Sequence, residues 1–355
     1  MVDFATLTRS TLTIRTARQE NWLGTFPVIH MAEHLIGRRL GRQPPVAGLT
    51  GHVRRGQITI RFTTPDADMD VARTPDLATL DGCGPDDFDI ERHVLEIEDQ
   101  ILPEPLRSRG RLPSDLSHLR YQWQAHRPTA HLHREPFLTG QLAGFRPSVS
   151  MPSNCAPRRC DCAGGELGER AAAQAALSRR LAGAQPELFL EGGPLRGYYS
   201  SVSVLLNGLS AYQSPLVQQL RHGYHPLYSV RLFDFPWRHR RFIACVTQPA
   251  IGPARFRSEV GWVIARFVAE FADDDLRTVL TEGVIGSLDD LSRVLSSPRD
   301  LARLQLLARL NGFPADSAAI CQSVLGCDIT ELERQRNSFL RALSDELDAP
   351  GAGAR

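Results

Sequence analysis

The residues best suited to chemistry form the pentad His30-Met31-Ala32-Glu33-His34. Histidines spaced four apart lie on one face of a helix, so both imidazoles can reach a single metal ion. Glu33 lies beside the second histidine and need not ligate, which is where a general base for a metal-bound water belongs. The order H-x-x-E-H is the reversed signature of zinc peptidases. Taken alone, the pentad also fits two ordinary histidines and a partnered glutamate.

The flanking residues predict that the pentad lies on a buried helix. Pro27 suits the first helical turn, Thr25 suits the cap before it, and Gly37 followed by arginines suits an ending. The residues between the polar positions are apolar. One zinc ion could satisfy the three buried polar groups that such a helix carries.

A zinc peptidase needs a third protein ligand and an open fourth position. The stretch from Asp86 to Asp99 predicts a second helix, because acidic residues crowd its start and Pro103 follows it. Glu91 and Glu98 share a face of that helix. One carboxylate can ligate the metal while the other hydrogen-bonds a ligating histidine. A solvated acidic helix face is the alternative.

The pentad and the later segment E-R-x-V-x-x-x-E together resemble the pitrilysin family of metallopeptidases, family M16, which includes insulin-degrading enzyme and the mitochondrial processing peptidases. The resemblance implies that His30, His34 and Glu98 bind Zn2+. It implies that Glu33 is the general base and that Glu91 supports a metal-bound histidine. If Glu96 were the ligand instead, removal of the Glu98 carboxylate would leave the metal bound.

A third match lies in the segment from Leu220 to Val230, which is similar to the family's L-R-x-x-x-G-x-x-Y-S-V stretch. The resemblance implies that Arg221 binds the substrate. It also implies that Tyr228 acts catalytically, by stabilising the reacting carbonyl.

The resemblance implies an α+β fold of two related M16-like domains, each a mainly antiparallel sheet packed with helices, facing each other across a substrate chamber. We place the N-terminal M16-like domain with the zinc site at residues 1–145 and a linker region at 146–186. The C-terminal M16-like domain with the arginine and tyrosine motif follows at 187–348, and a disordered tail at 349–355. The alternating residues of Thr11 to Arg15 and of Gln57 to Thr63 predict strands on either side of the zinc helix.

The expected function is that of a zinc-dependent endopeptidase cleaving small unstructured peptides or leader and precursor peptides. Because the chain is short for the family, we expect a homodimer or a heterodimer with a second M16-like subunit. A non-catalytic M16-like subunit or interaction partner of an active peptidase is the alternative. A binding module with a structural metal is a third hypothesis, and it predicts four protein ligands and no need for Glu33.

Composition excludes several classes of function. All 41 residues counted as Lys or Arg are arginine, so chemistry that needs a lysine is excluded. A formal net charge of +1 argues against a nucleic-acid partner. No apolar run is long enough to span a membrane and the N-terminus lacks the layout of a signal peptide, so we expect no membrane partner and a cytoplasmic protein.

Two further groups of side chains could in principle bind a metal, but their sequence context favours other roles. Cys155, Cys160 and Cys162 could bind a second metal, but their spacing is unfamiliar and incidental loop thiols are favoured. His131 and His133 alternate as in a metal site on a strand, but their Pro-interrupted context favours a surface loop.

Overall fold

The computed structural model describes residues 8–17, 22–42, 46–64, 75–99, 102, 112–136, 166–181, 185–195, 199–222, 227–313 and 317–348. These residues form two compact units. The first comprises Met1–Thr139 together with Ala211–Ser229, and the second comprises Gly140–Ser210 together with Val230–Arg355. The linker cysteines at 155, 160 and 162 and the tail at 349–355 lie outside the described residues.

The first unit packs three helices and a short C-terminal helix with one antiparallel sheet. In chain order its elements are β1 (Thr8–Arg15), α1 (Trp22–Gly41), β2 (Ala47–Arg54), β3 (Gln57–Thr64), a 3-10 turn (Pro75–Ala78), α2 (Pro85–Glu98), α3 (Leu116–Ala125), β4 (Thr129–Pro136) and α6 (Pro215–His222). The strand order is β2-β3-β1-β4, so β2 lies at one edge. A two-residue turn at Arg55-Gly56, with φ of 50° and 77°, joins β2 to β3.

The core of this unit explains why a helix carrying charged groups is stable. Apolar residues of α1, among them Ile29, Leu35 and Ile36, are fully buried with Leu12, Ile14 and Ile60 of the strands. Fully burying such a side chain contributes on the order of 2 kcal/mol. This apolar contact fixes α1 against the sheet and holds its polar stripe in one orientation.

The second unit repeats the strand, helix and hairpin plan and adds a larger set of helices. Its elements are α4 (Glu166–Arg180), β5 (Leu188–Pro194), α5 (Ser201–Ser210), β6 (Ser229–Trp237), β7 (Arg240–Gln248), α7 (Pro253–Arg255), a π-helical turn (Phe256–Gly261), α8 (Trp262–Ala269), α9 (Asp273–Ser296), α10 (Pro298–Asn311), α11 (Ser317–Leu325) and α12 (Ile329–Asp348). The strand order β5-β7-β6 places β6 at an edge, as β2 is in the first sheet.

Two glycines let α5 and α9 pack with their backbones almost touching. A Cβ at Gly208 would lie 2.0 Å from the carbonyl oxygen of Val279, and a Cβ at Gly283 would lie 2.0 Å from that of Val204. No side chain larger than hydrogen fits at either position. The crossing of these two helices therefore depends on both glycines.

The predicted α+β class, with helices packed on antiparallel sheets, is confirmed. The helix boundaries around the pentad were wrong. The helix begins by Trp22, so Pro27 lies inside it, and it continues past Gly37 to Gly41. It continues because Arg38 finds carboxylate partners on α2.

The segment with His131 and His133 was also misjudged. It forms strand β4, which pairs with β1, rather than a surface loop. A turn at Arg238, which has a φ of 52°, joins β6 to β7. Among the described residues, no helix is both long and apolar enough to cross a membrane.

Candidate metal centre

Three side chains of the first unit converge on one point. One potential ligand atom each from His30, His34 and Glu98 lies within 4.8 Å of the other two, and all three residues are buried. The Nε2 atoms of His30 and His34 lie 3.5 and 3.3 Å from Glu98 Oε2. Within the described residues this is the one group of three or more His, Cys, Asp or Glu side chains with such spacing.

A ladder of ion pairs between α1 and α2 orients the second histidine. His34 Nδ1 lies 2.9 Å from Glu91 Oε2, which leaves Nε2 free to face Glu98. Arg38 donates to the other Glu91 oxygen at 3.1 Å and to Asp87 at 3.0 Å. Arg42 adds a further contact to Asp87. Residues later in α1 pair with residues earlier in α2, so the two helices run antiparallel here. These ion pairs fix the register of the two helices.

The donor set fits a zinc ion. Two imidazole nitrogens and one carboxylate oxygen form a common three-ligand set for catalytic Zn2+. Glu98 Oε2 is buried without a hydrogen bond of acceptable geometry, and so is His30 Nδ1. Burial, and then the nearby His34, lower the pKa of His30 to about 4, so this imidazole is neutral and able to ligate at neutral pH. A bound cation would offset the cost of an unpaired buried carboxylate oxygen.

His34 behaves differently because three carboxylates surround it. Burial opposes its charge, but Glu33, Glu91 and Glu98 outweigh burial and raise the pKa of His34 to about 10. Without a metal, His34 is therefore protonated at neutral pH, and its positive charge offsets the negative charge of these carboxylates.

Glu33 lies beside His30, His34 and Glu98 and is not part of that group of three. Its Oε2 is 3.6 Å from His34 Nε2. Burial raises the pKa of Glu33 to about 7, with His34 opposing the shift and Glu98 adding to it. A carboxyl that titrates near neutrality can both accept and return a proton at physiological pH.

Gly51 on the edge strand β2 makes room for that carboxylate. A Cβ at this position would lie 1.8 Å from Glu33 Oε1 and 2.9 Å from its Cδ. Any side chain here would force Glu33 to move, so β2 can approach this carboxylate only because residue 51 is glycine.

Arg221 and Tyr228 lie at the same cavity, within the first unit. The Arg221 guanidinium lies 4.7 Å from the Tyr212 ring centroid and 5.1 Å from that of Tyr228. Such contacts stabilise a buried arginine and fix its plane. Burial, and then the negative charge of Glu98, raise the pKa of Tyr228, so its hydroxyl stays protonated and able to donate.

A cavity of about 590 Å³ opens beside these groups. Its walls include the two histidines, Glu33, Glu98, the β2 residues Leu49 to Arg54, Arg55 of the turn, and the stacked Tyr212, Arg221 and Tyr228. Its volume is in the range of small-molecule and peptide subsites.

The structure brings together all seven residues singled out from the sequence: His30, Glu33, His34, Glu91, Glu98, Arg221 and Tyr228. Sequence reasoning missed Tyr212, Gly51 and Arg38. Arg38 follows His34 by four residues and so shares its helix face, a signal that the sequence did offer. Nothing local marks Gly51 or Tyr212, because each matters through a contact distant in sequence.

No protein-family model matches the sequence, and no curated protein matches it. The fold is similar to several solved structures. A protease from Helicobacter pylori is 12% identical, with 94% of this chain and 91% of that chain covered and a TM-score of 0.30. The first half of the periplasmic protease PqqL from Escherichia coli is 9% identical, with 95% and 85% covered and a TM-score of 0.32. An inactive peptidase M16 domain from Pseudomonas fluorescens is 11% identical, with 95% and 90% covered and a TM-score of 0.30.

Proposed function

We propose that this chain is a zinc-dependent endopeptidase of the M16 type that cleaves small unstructured peptides or leader and precursor peptides. One observation carries the proposal. The ligand atoms of His30, His34 and Glu98 lie within 4.8 Å of one another, and the unligated carboxylate of Glu33 lies beside them. A site with three protein ligands and a neighbouring base has the composition of a hydrolytic centre.

A purely structural metal is less compatible with this site. Structural zinc is closed by four protein ligands, whereas the described residues supply three here. Glu33 would have no purpose at a closed site, and its burial would cost stability without return. The adjoining cavity would give a substrate access to an ion held by these three side chains.

Zinc held by His30, His34 and Glu98 would supply a Lewis acid that makes water more acidic and a carbonyl more electrophilic. Glu33 takes the proton from the attacking water at its carboxylate. With a pKa of about 7, Glu33 can then return that proton to the leaving amine.

Tyr228 and Arg221 serve the substrate. The protonated Tyr228 hydroxyl donates a hydrogen bond to the oxygen on which negative charge develops. Arg221, held by Tyr212, keeps the Tyr228 ring in place and adds positive charge beside the cavity. Arg221 also offers guanidinium donors to a backbone carbonyl or carboxylate of the substrate.

Zinc content is the first experiment, because it needs no knowledge of the substrate. Elemental analysis of the purified chain should find about one zinc per chain, and His30→Ala and Glu98→Gln should remove it. Glu96→Gln is the matched control: Glu96 is on the same helix but its side chain is 55% exposed and faces Arg92 at 3.5 Å. If Glu96→Gln lost zinc and Glu98→Gln kept it, Glu96 rather than Glu98 would be the third ligand.

Cleavage is tested next, on a library of unstructured peptides, with the wild type beside Glu33→Gln. The expected result is cleavage by the zinc-loaded wild type and cleavage about 10²- to 10⁴-fold slower by Glu33→Gln. Zinc binding without cleavage, alone and with candidate partner subunits, would favour a non-catalytic M16-like subunit. Sedimentation of the zinc-loaded chain distinguishes the two expected assemblies: a dimer would favour a homodimer, and a monomer would favour a heterodimer with a second M16-like subunit.

A further inference from the structure

The second unit contains a cavity of its own, of about 340 Å³. Helix α5 contributes Ser203 and Asn207 to its wall, and the edge strand β6 contributes Arg231 and Phe233. Helix α9 closes another side with Asp290 and Arg293. None of the residues assigned to zinc chemistry above takes part.

Arginines dominate the charge of this cavity. Arg180, Arg231, Arg293 and Arg303 all line it and are exposed to solvent. Asp290 is ion-paired with Arg293. Burial raises the pKa of Asp290, and the positive charges of Arg293, Arg231 and Arg180 oppose that shift, Arg293 through direct contact and the other two from a greater distance.

The other aspartates do not balance this charge. Asp234 is neutralised from within the unit, because it lies 3.2 Å from Arg241 Nε and accepts a hydrogen bond from Ser203 at 2.9 Å. Four arginines then face only Asp290 and Asp300. Within the described residues, Arg180, Arg231 and Arg303 have no carboxylate partner in an ion pair. The cavity therefore presents a surplus of positive charge.

Apolar side chains form the rest of the wall. They include Leu177, Leu181, Phe233, Pro236, Val246 and Val294. Guanidinium groups bind carboxylates in bidentate geometry, while the apolar wall favours a neighbouring aliphatic or aromatic group. The excess of arginine disfavours a metal ion, because a cation would be repelled.

We propose that this cavity binds an acidic peptide segment, with its Asp or Glu carboxylates on Arg231 and Arg303 and an adjacent apolar side chain against Phe233 and Val294. The site is separate from the zinc chemistry and holds peptide whether or not metal is bound.

Binding is measured by fluorescence anisotropy on the full chain carrying Glu33→Gln, treated with a chelator so that neither metal nor cleavage contributes. The probe is a short rhodamine-labelled peptide of alternating Glu and Leu, compared with the same peptide carrying Gln for Glu. We expect saturable binding of the acidic peptide, about tenfold weaker binding by Arg231→Gln or Arg303→Gln, and little binding of the Gln peptide.

The controls separate the two cavities. Arg266→Gln removes an exposed arginine of α8 whose partner is Glu270, and binding should not change. Arg54→Gln alters the first cavity. If Arg54→Gln weakened binding and Arg231→Gln and Arg303→Gln did not, the peptide would occupy the first cavity and the proposal would be wrong.

Two further outcomes would overturn the proposal. Equal binding of the acidic and Gln peptides would exclude recognition of carboxylates. Saturable binding of inorganic phosphate that depends on Arg231, without binding of the acidic peptide, would assign the cavity to a small anion. Because the experiment uses chelated Glu33→Gln protein, its failure leaves the zinc peptidase proposal untouched, and a failure of zinc binding leaves this one untouched.

Discussion

The two cavities of this chain have the same backbone plan and opposite chemistry. In each unit a buried helix follows the first strand and a hairpin then supplies the edge strand of the sheet, so that α1 and β2 correspond to α5 and β6. Each hairpin turns on an arginine with positive φ, Arg55 at 50° and Arg238 at 52°. The first cavity carries His30, Glu33 and His34 on its helix, whereas the second carries Ser203 and Asn207.

The same backbone plan forms a crevice in each unit, and the side chains that line each crevice determine which charge it can bind. Three carboxylates around His34 in the first cavity demand a cation. An excess of guanidinium groups in the second attracts an anion. The helix that packs against the cavity helix also differs between the units. In the first unit, α2 is held to α1 by ion pairs. In the second unit, α9 packs closely on α5 at Gly208 and Gly283.

The largest effect is expected from Glu33→Gln. Loss of the proton acceptor should lower peptide cleavage by about 10²- to 10⁴-fold, because general acid–base catalysis contributes that much. Zinc content, measured by elemental analysis, should stay at the wild-type value. Glu96→Gln, on an exposed face of α2, is the matched control for activity. Cleavage by Glu33→Gln at the wild-type rate would show that Glu33 is not the general base.

Tyr228→Phe should lower kcat by about 10²- to 10³-fold, the range for loss of one oxyanion donor, and should change KM little. The ring remains to stack on Arg221, so folding is preserved. A change confined to KM would instead make Tyr228 a binding residue.

Glu91→Gln should weaken zinc affinity by about 10- to 100-fold, since the carboxylate that holds His34 Nδ1 becomes a neutral amide. Competition with a fluorescent zinc chelator measures this change. Asp234→Asn is the counterpart in the second unit, where no ligating histidine depends on the carboxylate. If Glu91→Gln and Asp234→Asn lost zinc affinity equally, the loss could not be assigned to the contact between Glu91 and His34.

Gly51→Ala should reduce cleavage by about tenfold with zinc retained, because the new Cβ displaces the Glu33 carboxylate from its place. Gly168→Ala is a suitable control, because a Cβ there would meet nothing within 4 Å. An unchanged kcat in Gly51→Ala would mean that Glu33 can work from another position.

The smallest expected effect is the release of a proton when zinc binds. The pKa of His34 is raised to about 10 without metal, so His34 is protonated at pH 8 and must lose that proton for Nε2 to bind zinc. Zinc binding should therefore release about one proton at pH 8 and progressively less as the pH rises through 10. Calorimetry in two buffers of different ionisation enthalpy measures the release. Its absence at pH 8 would mean that His34 is already neutral.

Much of the candidate metal centre could be predicted, because the spacing of its residues along each helix is visible in the sequence. The spacing of His30, Glu33 and His34 on one helix, and of Glu91 and Glu98 on another, fixes which side chains share a face. The helix boundaries were less predictable. Pro27 and Gly37 are signals for a helix start and end, but the apolar contact of α1 with the sheet and the contacts of Arg38 with Asp87 and Glu91 outweigh them.

The sequence by itself determined that two histidines and a glutamate face one way on a helix, that a second acidic helix can meet them, and that no lysine is available for chemistry. Only the tertiary structure decided that Nε2 of both histidines faces the same oxygen of Glu98, and that Gly51 admits the Glu33 carboxylate. Tertiary structure also decided that Tyr212 and Arg221 enclose the site, and that four arginines meet around a second cavity. Periodicity fixes the direction of a side chain along its own element, whereas the distance between elements depends on how they pack.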